Sequence, residues 1–389
     1  MQYPPGPRPG PWEHQIVRKL LFAFIALGIG LATPLLVAEI ALRFLPVSTA
    51  LFAQPVDEAN PIFRFQSDRD YLWSNRWNFT IVNGGRVNNA GFVNDQDYRT
   101  NESSPLLAVI GDSYVEATMV PYAETLQGRL ATALEGRGRV YSFAASGAPL
   151  SQYLAWARHA RDVYEPDAMV FVVVGNDYDE SLLVYKQGPG FHHYREADDG
   201  ELSLTRIDYA PNPLRAIVRR SALARYLIFN LQALETVARL RATFRRDEEE
   251  EGDEEQRFLG NVPRYVEAPR LADSKRAVDA FFRDLPAMSG LAPSRILFVV
   301  DGIRYPGDYD PTAYIIQMRR YLLEQAHARG YGAIDMEEHF LPEHAANGTR
   351  FEFPTDAHWN GIAHGLAAAA VAGTALFKKT FPASTAHKP

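Results

Sequence analysis

The pattern from residue 106 onward, in which short apolar runs alternate with longer helical segments, constrains the fold of this chain most strongly. Runs such as Met169–Val174 carry no polar residue, which predicts strands that are buried on both faces of a sheet. Strands separated by helices favour parallel pairing with right-handed crossovers. The sequence therefore predicts a three-layer α/β/α sandwich around a parallel sheet. The strand candidates are Leu106–Ile110, Val140–Phe143, Ala168–Val174, Ile296–Val300 and Ala333–Asp335.

The helical segments between these strands leave one long gap in the pattern, from about residue 181 to 276. The helix candidates are Ala123–Leu134, Ser151–Tyr164, Ala277–Leu285, Tyr314–Arg329 and Gly361–Lys378. An insertion after the third strand is expected to lie over the carboxyl edge of the sheet, as a cap or a partner-binding subdomain. Inside it we expect an amphipathic helix over Leu214–Arg241. The acidic run Asp247–Glu255 is expected to form a solvated loop, since it lacks the spacing of a calcium-binding loop.

An uncharged apolar run over Leu20–Ala38 precedes this pattern. At about 1.5 Å per residue, a helix of this length covers roughly the 30 Å hydrocarbon core of a bilayer. A cleaved signal peptide and a buried soluble helix are the alternatives. Three basic residues precede the run and only Arg43 follows it closely, which favours a cytoplasmic N-terminus. We therefore predict a single-pass signal anchor (residues 20–38) in the inner (plasma) membrane, with residues 1–19 cytoplasmic and the rest periplasmic.

Residues 46–105 form an irregular segment, rich in Pro, Gly and Asn, between the anchor and the main domain at 106–380. It is expected to pack on that domain as an N-terminal extension. Short strands over Trp77–Val82 and Gly85–Asn88 are predicted to form a hairpin around Asn83-Gly84, a dipeptide typical of tight turns.

The composition excludes several kinds of chemistry. The chain of 389 residues contains no cysteine, which excludes disulfides, thiolate catalysis and Cys-ligated metal sites. A net charge of −7 gives no general attraction for nucleic acid. No cofactor and no metal is predicted.

A serine follows the first predicted strand, at Gly111-Asp112-Ser113. Open α/β folds bind their ligands at the carboxyl ends of parallel strands. A hydroxyl there would be exposed at the mouth of a cleft, where a nucleophile has to be. The alternative is an ordinary turn between strand and helix, so partners elsewhere in the chain have to decide.

Two further strand ends carry residues suited to binding an oxyanion. The second strand is followed by Gly147, where the backbone can approach a ligand and donate its N–H group, although this stretch alone favours a plain tight turn. The third strand ends in Gly175-Asn176-Asp177. The side-chain amide of Asn176 could donate to an oxyanion. Asp177 is expected to shape the turn.

The C-terminal part of the chain supplies a candidate acid–base pair in Asp356-Ala357-His358. A carboxylate near a histidine can fix the tautomer of the ring and stabilise the imidazolium that forms when a serine loses its proton. Asn360 is a plausible N-cap of the last helix. His364, which follows on that helix, is expected to pack in the core or to face solvent.

These blocks together resemble the four blocks of the SGNH/GDSL hydrolase family, in the family's order, over about residues 106–378. The chain departs from the common pattern with one residue, not two, between Asp356 and His358, and with a shortened Gly-Asn-Asp block. The Asp-x-His-Trp-Asn ending is similar to that of membrane-anchored members and polysaccharide O-acetylation proteins. The resemblance implies a flavodoxin-like sheet. It also implies a nucleophile Ser113, a general base His358 oriented by Asp356, and an oxyanion hole of Ser113, Gly147 and Asn176.

The sequence thus predicts an anchored periplasmic serine esterase or O-acyltransferase. By the resemblance and the location, its substrate would be an acylated carbohydrate of the cell envelope or another ester. The alternative is a catalytically silent assembly or scaffold subunit of a membrane complex, held by the anchor and the insertion. A membrane-protein partner is compatible with both interpretations. A phosphate-handling enzyme is disfavoured because the chain has no phosphate-binding glycine loop.

Overall fold

The computed structural model of the chain describes residues 11–213, 219–232 and 262–382. Its β-strands are, in chain order, β1 (Arg69–Asn75), β2 (Ile81–Val87), β3 (Leu106–Gly111), β4 (Arg139–Ala144), β5 (Ala168–Val173), β6 (His192–Glu196), β7 (Leu202–Arg206), β8 (Ile296–Val300), β9 (Gly332–Asp335), β10 (Glu352–Phe353) and β11 (Asp356–Trp359). Its α-helices are α1 (Pro11–Leu42), α2 (Ser113–Glu116), α3 (Leu126–Ala133), α4 (Leu150–Tyr164), α5 (Ala222–Arg225), α6 (Ala268–Ser289), α7 (Tyr314–Ala328), α8 (Glu337–Asn347), α9 (Gly361–Gly373) and α10 (Ala375–Thr380).

The central sheet is parallel and has the strand order β4-β3-β5-β8-β9. Counted along the chain this order is 2-1-3-4-5, the doubly wound arrangement of flavodoxin-like sheets. Every residue of β3, β4 and β5 is buried, as expected for strands covered on both faces. The predicted α/β fold with a parallel sheet is confirmed.

Helices cover the two faces of this sheet, and successive strand residues point to opposite sides. Ala108 and Ile110 of β3 belong to the hydrophobic core that packs against α4, α6 and α7. Leu107 and Val109 belong to a second core, on the side of α3, α8 and α9. This alternation produces the three layers.

The predicted helices differ from the observed ones mainly in the last segment. The expected helix over Gly361–Lys378 is two helices, α9 and α10. Thr374 between them is extended, and its side chain accepts a hydrogen bond from the Phe377 N–H group, which starts the second helix. Helix α6 is longer than the predicted Ala277–Leu285.

Helix α1 contains the apolar segment Arg18–Leu42, which is long and apolar enough to cross a membrane. Within the structure described, none of its most apolar stretch is buried against other parts of the chain. These properties are compatible with a single-pass anchor or with a signal sequence.

The turn of the N-terminal hairpin lies at a different place from the predicted one. Strands β1 and β2 pair antiparallel over Arg69–Asn75 and Ile81–Val87, so the connection is residues 76–80 and not Asn83-Gly84. Arg76 and Phe79 adopt positive φ angles of 64° and 55°, which make the turn. Asn83 lies inside β2, and its buried amide donates to the Thr118 and Val120 carbonyls, both at 2.9 Å. The predicted turn is wrong because Asn83 has these tertiary partners.

The described parts of the insertion between β5 and β8 lie at different places on the main domain. Hairpin β6–β7 lies beside α4 and α6 rather than over the sheet edge. In its contact with α4, the Ser151 hydroxyl donates to the His192 carbonyl at 2.8 Å. Helix α5 and a following π-helical turn, Tyr226–Asn230, are the described part of the predicted helix over Leu214–Arg241. Its continuity is contradicted at Gln232, whose φ of 49° interrupts the helical path. The acidic run 247–255 and the rest of that helix lie outside the described residues.

Candidate active site

The end of β3 places Ser113 at the first position of the short helix α2. Gly111 permits this turn, because a Cβ atom there would lie 2.5 Å from Val115 and 3.3 Å from the Val172 carbonyl. Asp112 caps the helix and accepts a hydrogen bond from the Tyr114 N–H group at 2.9 Å. Burial raises the pKa of Asp112. The hydrogen bonds that its carboxylate accepts lower the pKa, but their effect is smaller than that of burial.

The structure brings Ser113, His358 and Asp356 into direct contact. The Ser113 Oγ atom lies 2.8 Å from His358 Nε2. The other ring nitrogen, Nδ1, contacts Asp356 Oδ1, which also accepts the His358 backbone N–H group at 3.0 Å. Both residues lie on β11, where positions two apart share a face. The spacing of one residue is therefore sufficient for the carboxylate to bind the ring.

The electrostatics of this group favour a basic imidazole. Burial opposes the positive charge of His358, but the hydrogen bond and the charge of Asp356 outweigh it, and the pKa of His358 is raised. Burial also opposes the negative charge of Asp356, yet the interactions with His358 lower the pKa of this carboxyl group. Both directions describe a carboxylate that stabilises an imidazolium.

A buried arginine, Arg304, contacts β11, and no sequence pattern singled it out. Arg304 donates to the Ala357 carbonyl at 2.6 Å and to the Tyr114 hydroxyl at 3.1 Å. Its charge is balanced by Asp301, with the nearest N···O distance 3.3 Å. Arg304 thus connects the residue after Ser113 to the residue before His358, and holds the two chain segments together.

The two other predicted oxyanion residues lie at the adjacent strand ends. Gly147 has a positive φ of 75°, and its carbonyl accepts a hydrogen bond from Lys186 Nζ at 3.0 Å. The Asn176 side-chain amide donates to Glu180 Oε2 at 3.2 Å, and Glu180 pairs with Lys186. Lys186 and Glu180 therefore link the loops that carry Gly147 and Asn176. The sequence provided no signal for this pair.

Three structural roles expected from the sequence are confirmed. Asp177 shapes its turn, since its carboxylate accepts the Val174 N–H group at 2.8 Å and the Tyr153 hydroxyl at 2.9 Å. Asn360 caps α9 through the N–H groups of its first turn. His364 is buried and accepts a hydrogen bond from the Leu126 N–H group at 3.2 Å, and burial lowers its pKa to about 3.

Glu116 is a buried carboxyl group beside this site that the sequence analysis missed. It lies at the end of α2 and accepts a hydrogen bond from the backbone N–H group of Ser146, the residue before Gly147. Burial raises the pKa of Glu116 to about 7. The carboxyl group therefore connects the helix that begins with Ser113 to the loop that carries Gly147.

Replacing Glu116 tests whether this connection positions the loop. In Glu116→Leu the Ser146 N–H group loses its acceptor and the loop that carries Gly147 loses its connection to α2. Because a displaced oxyanion donor weakens transition-state stabilisation, kcat for an ester should fall about 10- to 100-fold. Glu116→Gln keeps an acceptor and should stay within about tenfold of the wild type. The measurement is kcat of both variants. Equal losses in the two variants, or none in either, would contradict a positioning role.

A cavity of about 410 Å³ opens beside Asp356. Its lining includes Glu116, Ser146 and Asp356, together with Trp73 and Phe229. The N-terminal hairpin and the 219–232 part of the insertion thus reach the carboxyl edge of the sheet and border the site. This volume is in the range of small-molecule binding sites.

Among the residues that the structure describes, no group of three or more His, Asp or Glu side chains is arranged to hold a metal ion.

Comparison with known proteins finds similarity only at the level of structure. No protein-family description matches the sequence, and no curated protein matches it. A lipase from a goat rumen metagenome has a TM-score of 0.36 and 12% identity, over 69% of this chain and 96% of that one. A member of the lipolytic protein G-D-S-L family from Veillonella parvula has a TM-score of 0.34 and 10% identity, over 68% and 95%. A two-domain esterase active on acetylated mannans, co-crystallised with mannopentaose, has a TM-score of 0.35 and 10% identity, over 74% of this chain and 52% of that one. The function is therefore argued below from the geometry of the site.

Proposed function

We propose that this chain is a membrane-anchored serine esterase or O-acyltransferase of the SGNH/GDSL type, with its catalytic domain outside the cytoplasm. The observation that carries the proposal is the contact of Ser113 Oγ with His358 Nε2 at 2.8 Å, on a ring whose other nitrogen binds Asp356. A serine hydroxyl is a weak nucleophile until a base accepts its proton. This arrangement supplies the base and the group that orients it.

The first half of the reaction follows from the positions of these atoms. The Ser113 hydroxyl has one hydrogen, which can point to Asp112 at 3.1 Å or to His358. When it points to His358, Oγ attacks the ester carbonyl carbon and Nε2 takes the proton. The tetrahedral oxyanion would be stabilised by the N–H groups of Ser113 and Gly147 and by the second amide hydrogen of Asn176. His358 then gives its proton to the leaving alcohol, and an acyl-Ser113 intermediate remains.

The second half decides between hydrolysis and transfer. Water or a sugar hydroxyl gives its proton to His358 and attacks the acyl carbon. As the second tetrahedral intermediate breaks down, His358 returns this proton to the Ser113 Oγ atom, which leaves and so releases either a free acid or a new ester. Both outcomes use the same residues, so the acceptor that enters the cavity decides the product.

Acyl groups of carbohydrate are the substrate that we propose for this cavity. Trp73 and Tyr71 contribute aromatic surface, and Asn75, Arg76 and Asn230 contribute polar groups. A mixture of aromatic and polar side chains can bind a sugar ring by its faces and its hydroxyl groups.

The proposed anchor is supported by contacts at the end of α1. Glu39 accepts hydrogen bonds from the Ser221 hydroxyl at 2.7 Å and from the Leu223 N–H group at 2.9 Å. These contacts integrate the helix into the folded domain, which favours a retained anchor over a cleaved signal sequence. The excess of basic residues before the apolar run Leu20–Ala38 supports a cytoplasmic N-terminus and a periplasmic domain.

The test is the hydrolysis of 4-nitrophenyl acetate by the purified full chain in detergent, with and without added sugar acceptors. We expect Ser113-dependent release of nitrophenol, and acetylated sugar in place of acetate if the enzyme is a transferase. Failure to form any acyl-enzyme would support the alternative of a silent scaffold subunit.

A further inference from the structure

The junction between α1 and the rest of the chain is fixed by several contacts. Besides the contacts of Glu39 described above, the Ala222 N–H group donates to this carboxylate at 3.1 Å. Arg225 donates to the Ser48 carbonyl at 3.1 Å, just beyond the end of α1. Leu42 is buried against Val47 and Ala222 in a small apolar cluster. The end of the helix therefore has a defined position relative to the domain.

Exposed apolar side chains surround this junction. Phe44 is 84% exposed and follows α1 directly, and Leu227 on the π-helical turn is 41% exposed. Trp77, in the loop between β1 and β2, is 72% exposed. This loop is held at the junction because Tyr226 donates to the Trp77 carbonyl at 2.7 Å. Exposed Trp and Phe next to the end of an apolar helix are typical of the membrane–water interface.

The cavity lined by Asp356 lies close to this junction. Ser48, which lines the cavity, is separated from the end of α1 at Leu42 by a chain that can span at most about 20 Å. Phe229, which also lines the cavity, lies about 11 Å from Ala222 along the helical path. The headgroup layer outside the hydrocarbon core is itself about 5–7 Å thick. A group projecting from the bilayer surface can therefore reach the cavity.

The loop that carries Trp77 also touches the site. Arg76 of this loop donates to the Thr355 carbonyl at 3.3 Å, and Thr355 precedes Asp356. Arg76 lines the cavity as well. One short loop thus extends from the exposed tryptophan to the segment that carries the catalytic acid.

We propose that Phe44, Trp77 and Leu227 rest on the bilayer that holds α1, and that the cavity takes esters carried by lipid-tailed molecules in that bilayer. This inference rests on the proposed function, both for the anchor and for the esterase chemistry. It adds the class of substrate, an amphiphilic ester presented from the membrane surface, and the face of the protein that receives it.

The contact with the bilayer is tested with spin labels on the full chain. Because the chain has no cysteine, Trp77→Cys and Val184→Cys each give a single labelling site. Val184 is 77% exposed and lies beside hairpin β6–β7 and α6, which makes it a matched control. In nanodiscs of phosphatidylethanolamine and phosphatidylglycerol, the label at 77 should be more accessible to oxygen than to a water-soluble nickel complex, and the label at 184 the reverse. Equal exposure of both labels to the nickel complex would overturn the proposal.

The class of substrate is tested in the same nanodiscs with dioleoylacetylglycerol and with soluble 4-nitrophenyl acetate. The double variant Trp77→Ser, Leu227→Ser should lose about fivefold or more in rate on the lipid ester and keep its rate on the soluble ester. Val184→Ser should keep both rates. Equal rates of the double variant and the wild type on the lipid ester, or equal losses on both esters, would overturn the proposal. If Ser113 of the wild type forms no acyl-enzyme with either ester, the proposed function fails, while the spin labels still decide the contact with the bilayer.

Discussion

Ser113→Ala should lower kcat/KM for 4-nitrophenyl acetate by about 10⁴-fold or more. Removal of the hydroxyl removes the atom that forms the acyl-enzyme, and the remaining catalysis comes only from binding and oxyanion stabilisation. The fold should be unaffected, because the backbone N–H groups that begin α2 stay in place and Asp112 still caps the helix. The measurement is nitrophenol release by equal amounts of the two proteins.

Ser203→Ala is the matched control for this variant. Ser203 lies exposed on β7, and its hydroxyl contacts only the Arg195 carbonyl of the same hairpin, at 3.4 Å, among the described residues. Its activity should equal that of the wild type. An esterase activity that survives in Ser113→Ala and is unchanged in Ser203→Ala would contradict the assignment of Ser113 as nucleophile.

Asp356→Asn should lower kcat by about 10³- to 10⁴-fold. An amide in place of the carboxylate can present its NH₂ group to His358 Nδ1, which would favour the tautomer with its proton on Nε2 and so remove the base from Ser113. The amide also lacks the charge that stabilises the imidazolium. Since Asp356 raises the pKa of His358, the acid limb of any remaining activity should move to lower pH. The measurement is kcat/KM as a function of pH.

Asp208→Asn is the control for loss of a carboxylate. Asp208 is exposed and pairs with Arg206 at 2.8 Å on the surface of the insertion. Its pH profile should match that of the wild type, in which activity falls with falling pH as His358 gains its proton. An Asp356→Asn variant with an unshifted acid limb and near-normal kcat would show that this carboxylate does not orient the base.

The fold could be predicted from the sequence because its signal is local and repeated. Each central strand is a continuous apolar run, and the helices between strands leave parallel pairing as the natural arrangement. The residues at the strand ends meet at one edge for the same reason. This reason applies to Ser113, Gly147 and Asn176, which follow β3, β4 and β5. It does not apply to His358, which lies on β11 outside the central sheet and 245 positions from Ser113.

The rest of the site depends on tertiary contacts that leave no pattern in the sequence. Arg304 lies in an ordinary loop after β8, and only the fold places its guanidinium under β11. Glu116 resembles any acid on a helix until the structure buries it against the Ser146 N–H group. Asn83 shows the opposite case, in which a strong local turn signal is overridden by two carbonyl partners elsewhere in the chain.

The insertion shows that an interruption of the alternating strand–helix pattern does not predict where the inserted residues lie on the fold. The expectation of a cap over the sheet edge holds for Asn230, which binds the Ser48 N–H group at 3.2 Å and borders the cavity. It does not hold for β6–β7, because Tyr194 and His192 of this hairpin bind α6 and α4 at the side of the sheet. Apolar residues within the insertion, such as Leu202, join the core on that side.

The covalent intermediate on Ser113 is the most direct measure of the central claim. The full chain is mixed with 4-nitrophenyl acetate, quenched in acid within seconds, digested, and mapped by mass spectrometry. We expect an added acetyl group on the peptide that contains Ser113, and no such group in Ser113→Ala. Any acetyl group that forms in His358→Ala should be retained for longer, because the base that activates water is missing. Acetylation of another serine, with Ser113 unmodified under turnover, would contradict the account.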